Sequence, residues 1–194
     1  PEGHIGVKRQ RKQALFNMSS ISFEIAQSII SAKIHNQIVV LRRYASSRGE
    51  DLTEICKHMK ILKNKIAVTS SIDEIMGYEG NAARSYFEGL SRLVESEFHF
   101  DGRNRRPPKD LFNAMLSFGY SMLLSELYGK IISKGLNPYF GFIHQDRENH
   151  PTLASDLMEE WRPVIVDSAV MSMINGHEIS VDQFQTGDDG GIYM

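Results

Sequence analysis

Residues 21–47 read ISFEIAQSIISAKIHNQIVVLRRYASS, and this stretch decides the fold class. Ile25, Ile29, Ile30, Ile34, Ile38, Leu41 and Tyr44 recur at spacings of three to five. Side chains at that interval share one side of an α-helix, whose period is 3.6 residues. A half-buried strand would alternate with period two, and the chain carries no run of alternating strands. Gly49 closes the segment.

Outward from it, the same signal repeats. Residues 51–67 place Leu52, Ile55, Met59, Leu62 and Ile66 on one face, with Lys57, Lys60, Lys63 and Lys65 mostly elsewhere. Ser71-Ile72-Asp73-Glu74 is a capping box, so a third helix is expected from there to about Ser96. Pro108 can occupy the first turn of a fourth helix, over about 108–134, with Leu111, Met115, Phe118, Met122 and Leu127 as its stripe and Gly135 as its stop. Residues 137–149 read as a loop. Pro151 opens a fifth helix with Leu153, Leu157, Trp161 and Val164 on one side, bent or split at Pro163 and continuing to about Ile174. The expected class is all-α, a multi-helix domain over 19–179. Residues 1–18 read as a linker or remnant of another domain, and 180–194 as a Gly-rich flexible tail. A start at Pro1 without Met, and an end on Gly190–Met194 without a closing helix, lead us to expect further sequence at one or both ends.

Composition narrows the class. At 41% hydrophobic residues the chain can bury a core, yet no apolar run approaches the roughly 18 to 20 residues of a membrane span. The polar, basic N-terminus is not a signal peptide. The lone Cys56 forms no internal disulfide and no cysteine-rich zinc site, which suits a reducing cytosol. The net charge of −2 hides an asymmetry: residues 1–65 carry 12 Lys and Arg against 5 Asp and Glu, residues 66–194 carry 10 against 19. A polyanion-binding surface beside a carboxylate metal site would look like this, and so would a set of solvated helix faces.

Four groups of residues could carry chemistry. Asp156, Glu159 and Glu160 fall together beside the Leu153/Leu157/Trp161 stripe, and crowded carboxylates call for a cation between them; taken alone, a solvated acidic face near a helix N-terminus is the better account of them. His144, between Phe142-Ile143 and Gln145-Asp146, offers an imidazole to a divalent metal, or simply a loop hydrogen bond. His150 is the weaker ligand candidate and could instead cap the fifth helix. Glu79 sits among Gly77, Gly80, Ala82 and Ala83; two glycines in a helix cost roughly 1 kcal/mol each against alanine. Small residues there let a nucleic acid or a neighbouring helix approach, with Arg84 and Tyr86 open to phosphate or to the core edge. Lastly, Arg103, Arg105, Arg106 and Lys109 surround Pro107-Pro108, ahead of Asn113, Ser117 and Tyr120, as a phosphate clamp or an ordinary solvent-facing turn.

These segments form an ordered series: Gly-Tyr-Glu79-Gly-x-Ala-Ala-Arg84-x-Tyr, Arg105-Arg106-Pro-Pro-x-Asp-x-x-Asn113-x-x-Leu-Ser-x-Gly-Tyr120, Gly-Phe-Ile-His144, and Leu-Ala-x-Asp156-Leu-Met-Glu159-Glu-Trp-Arg-Pro, with Lys33-Ile34-x-Asn36-Gln37 ahead of them. Over about 20–180 the chain resembles the CRISPR-associated endonuclease/integrase family, the first protein of the CRISPR adaptation module. The resemblance implies a metal site of Glu79, His144 and Glu159 holding Mn²⁺ or Mg²⁺, with Asp156 supporting it. It also places Lys33, Arg84, Arg103, Arg105, Arg106, Asn113 and Tyr120 near DNA. The implied reaction inserts spacer DNA into a CRISPR array by 3′-hydroxyl attack on a phosphodiester, in the prokaryotic cytosol. The implied partners are double-stranded DNA, the small second protein of the adaptation module, and a second copy of the full-length protein. The family's N-terminal β-rich domain is absent from this chain. A related transposon integrase, or a helical DNA-binding scaffold with a vestigial metal site, remains an alternative.

Overall fold

The computed structural model describes residues 2–144 and 149–194. Pro1 of the N-terminal segment, and Gln145 and Asp146 beside His144, lie outside the described residues. The helices are α1 (Glu2–Asn17), α2 (Ser20–Arg48), α3 (Thr53–Ile66), α4 (Ile72–Ser91), α5 (Leu111–Ser133), α6 (Thr152–Glu159) and α7 (Ser168–Asn175). A π-helical stretch, Arg162–Asp167, joins α6 to α7. Two antiparallel two-residue strands, β1 (Gln185–Thr186) and β2 (Ile192–Tyr193), follow. The all-α class holds. No helix among the described residues is long and apolar enough to cross a membrane.

Helix α2 is the centre. It buries Ala26, Ile30, Ile34 and Leu41 almost completely, and it touches α1, α3, α4, α6 and the π-helical stretch. Its many neighbours explain why its apolar residues spread beyond one stripe. Against it, α3 sets Met59 and Ile66, and α4 sets Ile75, Ala82, Tyr86 and Leu90. At the start of α4, Ser71 Oγ accepts from the Glu74 backbone N–H at 3.2 Å. The Glu74 carboxylate reaches one residue beyond the cap, accepting from the Ser70 N–H at 2.7 Å. Gly89 brings α4 close to α2: a Cβ there would stand 2.9 Å from Leu41 Cδ2.

Several expectations are corrected. The 1–18 segment is not a linker but helix α1, fastened to the loop after α5, where Gln13 Nε2 donates to the Asn137 carbonyl at 2.7 Å and Gln13 Oε1 accepts from the Asn137 N–H at 2.8 Å. The fourth helix begins at Leu111 rather than at Pro108, because Asp110 caps it by accepting from the Asn113 N–H at 2.7 Å. The stripe expected on α5 fails at Phe118 and Met122, which are exposed, while Phe112, Met115 and Leu116 are buried. The start of α5 is inserted under Phe100, whose ring stacks on Phe112 at 4.2 Å, so burial follows position along the helix more than side. The stripe expected on the fifth helix stops at Leu157: Trp161 and Val164 are exposed. Pro163 has no N–H for the Glu159 carbonyl, and the chain re-phases through the π turn. Residues 180–194, expected as a flexible tail, carry β1 and β2, and the Ile192 N–H donates to the Pro108 carbonyl at 2.8 Å.

Candidate metal centre and nucleic-acid cavity

A cavity of about 680 Å³ opens where α2, α4, α5, α6 and the loop before α5 come together. Glu79, His144 and Glu159 all line it, as do Lys33, Arg84, Arg103, Arg105, Arg106 and Tyr120. Helix packing thus brings together residues that lie up to 126 positions apart in the chain.

The acidic end is built on three helices. Lys33, from α2, donates through Nζ to Glu79 Oε1 of α4 at 2.5 Å and to Glu159 Oε2 of α6 at 2.5 Å. The other oxygen of Glu159 meets Arg162 Nη1 at 3.0 Å. The side chains of Lys33, Glu79 and Glu159 are 9%, 13% and 6% exposed, so water screens this cluster little. Burial pushes the Glu159 carboxyl up, but Lys33 and Arg162 outweigh burial and hold it below the usual carboxylate range. Burial likewise pushes Lys33 down, and the two carboxylates more than reverse it. Lys33, expected near DNA, sets its ammonium between two acids here, and two buried carboxylates need a cation between them.

The imidazole is held from behind. His144 Nδ1 pairs with Asp156 Oδ1. Asp156, fully buried, also accepts from the backbone N–H groups of Phe142 at 2.5 Å, Ile143 at 2.8 Å and His144 at 3.3 Å. Asp156 therefore shapes the loop and aims the ring, and does not reach the cavity. An Nδ1–H given to a carboxylate leaves the lone pair on Nε2, the tautomer a metal-ligating histidine uses. Gly141 lets the loop approach α6: a Cβ there would stand 2.6 Å from Asp156 Oδ2 and 2.9 Å from the Thr152 carbonyl carbon. His150 lines the same cavity and meets Ser155 Oγ through Nε2 at 3.3 Å.

The adjoining part of the cavity is cationic. Arg103 donates to Asn113 Oδ1 at 2.7 Å and to Ser117 Oγ at 3.1 Å, and its guanidinium lies 5.4 Å from the Tyr120 ring centre. Arg162 lies over the same ring at 5.0 Å. The Tyr120 hydroxyl donates to Asp167 Oδ1 at 2.5 Å, and Tyr86 donates to Asp167 Oδ2 at 2.8 Å. Burial raises Asp167 from 3.8 to about 6, against the pull of both hydroxyls; burial and the facing Asp167 push both phenols well up. Asn113, expected near DNA, is fully buried. It holds the Gly102–Asp110 loop by accepting from the Asn104 N–H at 3.2 Å and donating to the Gly102 carbonyl at 3.0 Å. Tyr86 is also a core residue, not a phosphate contact. Arg84, Arg105 and Arg106 are exposed at the rim. A Cβ added at Gly77 or Gly80 would meet no atom within 4 Å, so tight helix packing does not account for these glycines.

Gln37, Arg162 and Asp167 also line this cavity, and sequence reading assigned them no role. Asp167 left one trace: it is an acid closing the apolar run Val164-Ile165-Val166.

Among the described residues, no three His, Cys, Asp or Glu side chains stand in a coordinating arrangement. The donor set nevertheless fits a divalent ion. Two carboxylates already converge on one buried cation, and an oriented imidazole faces the same cavity, a mostly hard set suited to Mn²⁺ or Mg²⁺. Lys33 Nζ stands between those carboxylates and would have to share or yield that place.

Comparison with known proteins places this architecture. The fold matches a chain of a solved partial Cas6-RT-Cas1–Cas2 complex with a TM-score of 0.89 at 31% identity, covering 99% of this chain and 59% of that one. A casposase bound to an integration product matches with a TM-score of 0.86 at 28% identity, over 97% of this chain and 53% of the casposase. By sequence, the CRISPR-associated endonuclease Cas1 of Mycobacterium tuberculosis is 42% identical over 167 residues, 86% of this chain and 49% of that protein. The family described as CRISPR associated protein Cas1 matches residues 1–194, and the chain belongs to it. The chain spans about half the length of the Mycobacterium tuberculosis relative.

Proposed function

We propose that this chain is the catalytic part of a divalent-metal-dependent DNA endonuclease and integrase that inserts spacer DNA into a CRISPR array. The observation that carries this reading is the meeting of Glu79 and Glu159, from separate helices, on one cation in a cavity rimmed by arginines. Glu79, Glu159 and His144 through Nε2 would hold Mn²⁺ or Mg²⁺, which supplies a Lewis acid for phosphodiester chemistry. Asp156 keeps His144 in the ligating tautomer. Arg84, Arg103, Arg105 and Arg106 bind backbone phosphates, so binding weakens as salt rises.

In the reaction, the 3′-hydroxyl of the incoming strand attacks phosphorus in the array. A new P–O bond forms, the bond to the array strand's own 3′ oxygen breaks, and that strand departs as a free 3′-hydroxyl. The attacking hydroxyl gives up the proton, and the departing oxygen gains one from solvent. Water in place of the hydroxyl gives cleavage. We further propose that the full protein works in the prokaryotic cytosol as a homodimer on double-stranded DNA, beside a second adaptation protein. The Cas2 named in the partial complex that this fold matches supports that partner.

A second reading keeps the chemistry and changes the biology. Likeness to a casposase bound to an integration product favours a transposon integrase. A repeat array beside the gene supports the first reading; mobile-element termini support the second. Both are tested by strand joining in the full protein with and without Mn²⁺. Glu159→Ala and His144→Ala are each expected to lower joining at least 10³-fold, in line with the loss of a metal ligand or a principal charge-stabilising group. Full activity in either variant, or indifference to chelation, overturns the site.

A further inference from the structure

We propose that Arg162 is a substrate contact, clamping a non-bridging oxygen pair of the phosphodiester next to the carboxylate end of the cavity; this rests on the nucleic-acid reading above. Arg162 sits where α6 gives way to the π-helical stretch, and π turns inside helices recur at functional sites. Its guanidinium is fixed on two sides. One Nη meets Glu159 Oε1 at 3.0 Å, and the guanidinium carbon lies 5.0 Å from the centre of the Tyr120 ring, a ring itself tied down by Asp167.

A guanidinium carries five donors in a planar fork. Here the Nε is buried and has no hydrogen-bond partner among the described residues. The side chain is 21% exposed and lines the cavity. Gln37, 3% exposed and lining the same cavity, also has a buried amide oxygen without a partner. Buried polar groups left open in this way call for an explanation. A ligand presenting two oxygens in one plane, together with a donor for Gln37, would complete both. A phosphodiester has the first part of that chemistry, paired anionic oxygens for the fork, and the O–H of a strand's 3′ end or an N–H of a base would be the donor that the Gln37 oxygen lacks among the described residues.

The guanidinium carbon lies 5.0 Å from the Tyr120 ring centre, and the bond to Glu159 ties the group to the acidic cluster. Lysine would keep the charge and lose the planar fork that meets two oxygens at once.

The test uses the full protein and DNA carrying a neutral methylphosphonate at one phosphate at a time around the reacting position, with binding measured in chelator and strand joining in Mn²⁺. For the native protein, one methylphosphonate position is expected to weaken binding about 10-fold or more. Arg162→Ala and Arg162→Lys should be insensitive at that same position and should lower joining roughly 10²-fold even at saturating Mn²⁺. If both variants keep the native methylphosphonate profile, or if raised Mn²⁺ restores joining fully, Arg162 acts only through Glu159 and the proposal is wrong. Failure of the functional reading looks different: the native protein would neither join nor cleave DNA, whatever the state of Arg162. A native protein that does not bind DNA overturns both.

Discussion

In one part of the cavity, two carboxylates from different helices meet one lysine; in the adjoining part, two guanidinium groups meet one tyrosine ring, and Arg162 joins the two through Glu159. Both ends bury charge, but they are stabilised differently. The acidic end depends on a cation placed between repelling groups, so its geometry is set by whatever positive charge stands there. The cationic end rests on a ring whose hydroxyl is bonded to a buried acid, and that acid is held by a second tyrosine. One part is organised around an ammonium, the other around a hydrogen-bonded ring.

The largest effect should come from removing the cation of the acidic end. Lys33→Met leaves Glu79 and Glu159 facing each other, and breaking a buried pair in this way costs roughly 3–5 kcal/mol. Mn²⁺ should recover a substantial part of that loss in urea unfolding, and should stabilise the variant more than the native protein. No recovery with Mn²⁺ would show that the carboxylates do not form a cation site.

Acidity separates the two ends by sign. Asp167 is raised from 3.8 to about 6. Its contribution to stability is complete below the unfolded value and is lost as pH rises through about 6. That loss is about 3 kcal/mol at 1.36 kcal/mol per pH unit. Glu159 is held below its ordinary value of 4.5, so its contribution is present above that value and lost on acidification. Asp167→Asn should remove the first dependence and leave the second: between about pH 4 and 6, its unfolding free energy should rise relative to the native protein as pH increases. A difference that stays flat with pH would break the contrast.

The smallest effect concerns the loop that aims His144. Gly141→Ala places a methyl 2.6 Å from Asp156 Oδ2 and 2.9 Å from backbone. The expected cost is about 1–3 kcal/mol of overpacking, with a shifted His144 ring resonance by NMR. An unchanged ring signal would mean that the carboxylate gives way without moving the histidine.

Much of this was legible beforehand. The apolar spacing in 21–47 announced α2, Ser71 and Glu74 announced the start of α4, and Gly135 announced the end of α5, because helix signals are local in the chain. The ordered segments around Glu79, His144 and Glu159 named the candidate ligands. The burial of Lys33, Asn113 and Tyr86 is not legible in the sequence, because a polar or aromatic residue type does not disclose whether packing will bury it. Trp161 and Val164 were placed on a buried stripe because a constant 100° step was carried through Pro163, where the backbone cannot keep it.

The sequence by itself determined the all-α class, the capped start of α4, the stops at Gly49 and Gly135, and which residue types are available for chemistry, since each rests on contacts within a few residues. Only the tertiary structure decided which charges meet. Lys33 finds Glu79 46 positions away and Glu159 126 positions away, and Asp167 finds Tyr86 81 positions away. Those meetings depend on where helices cross and how deeply each side chain is removed from water, and packing across the whole core fixes both.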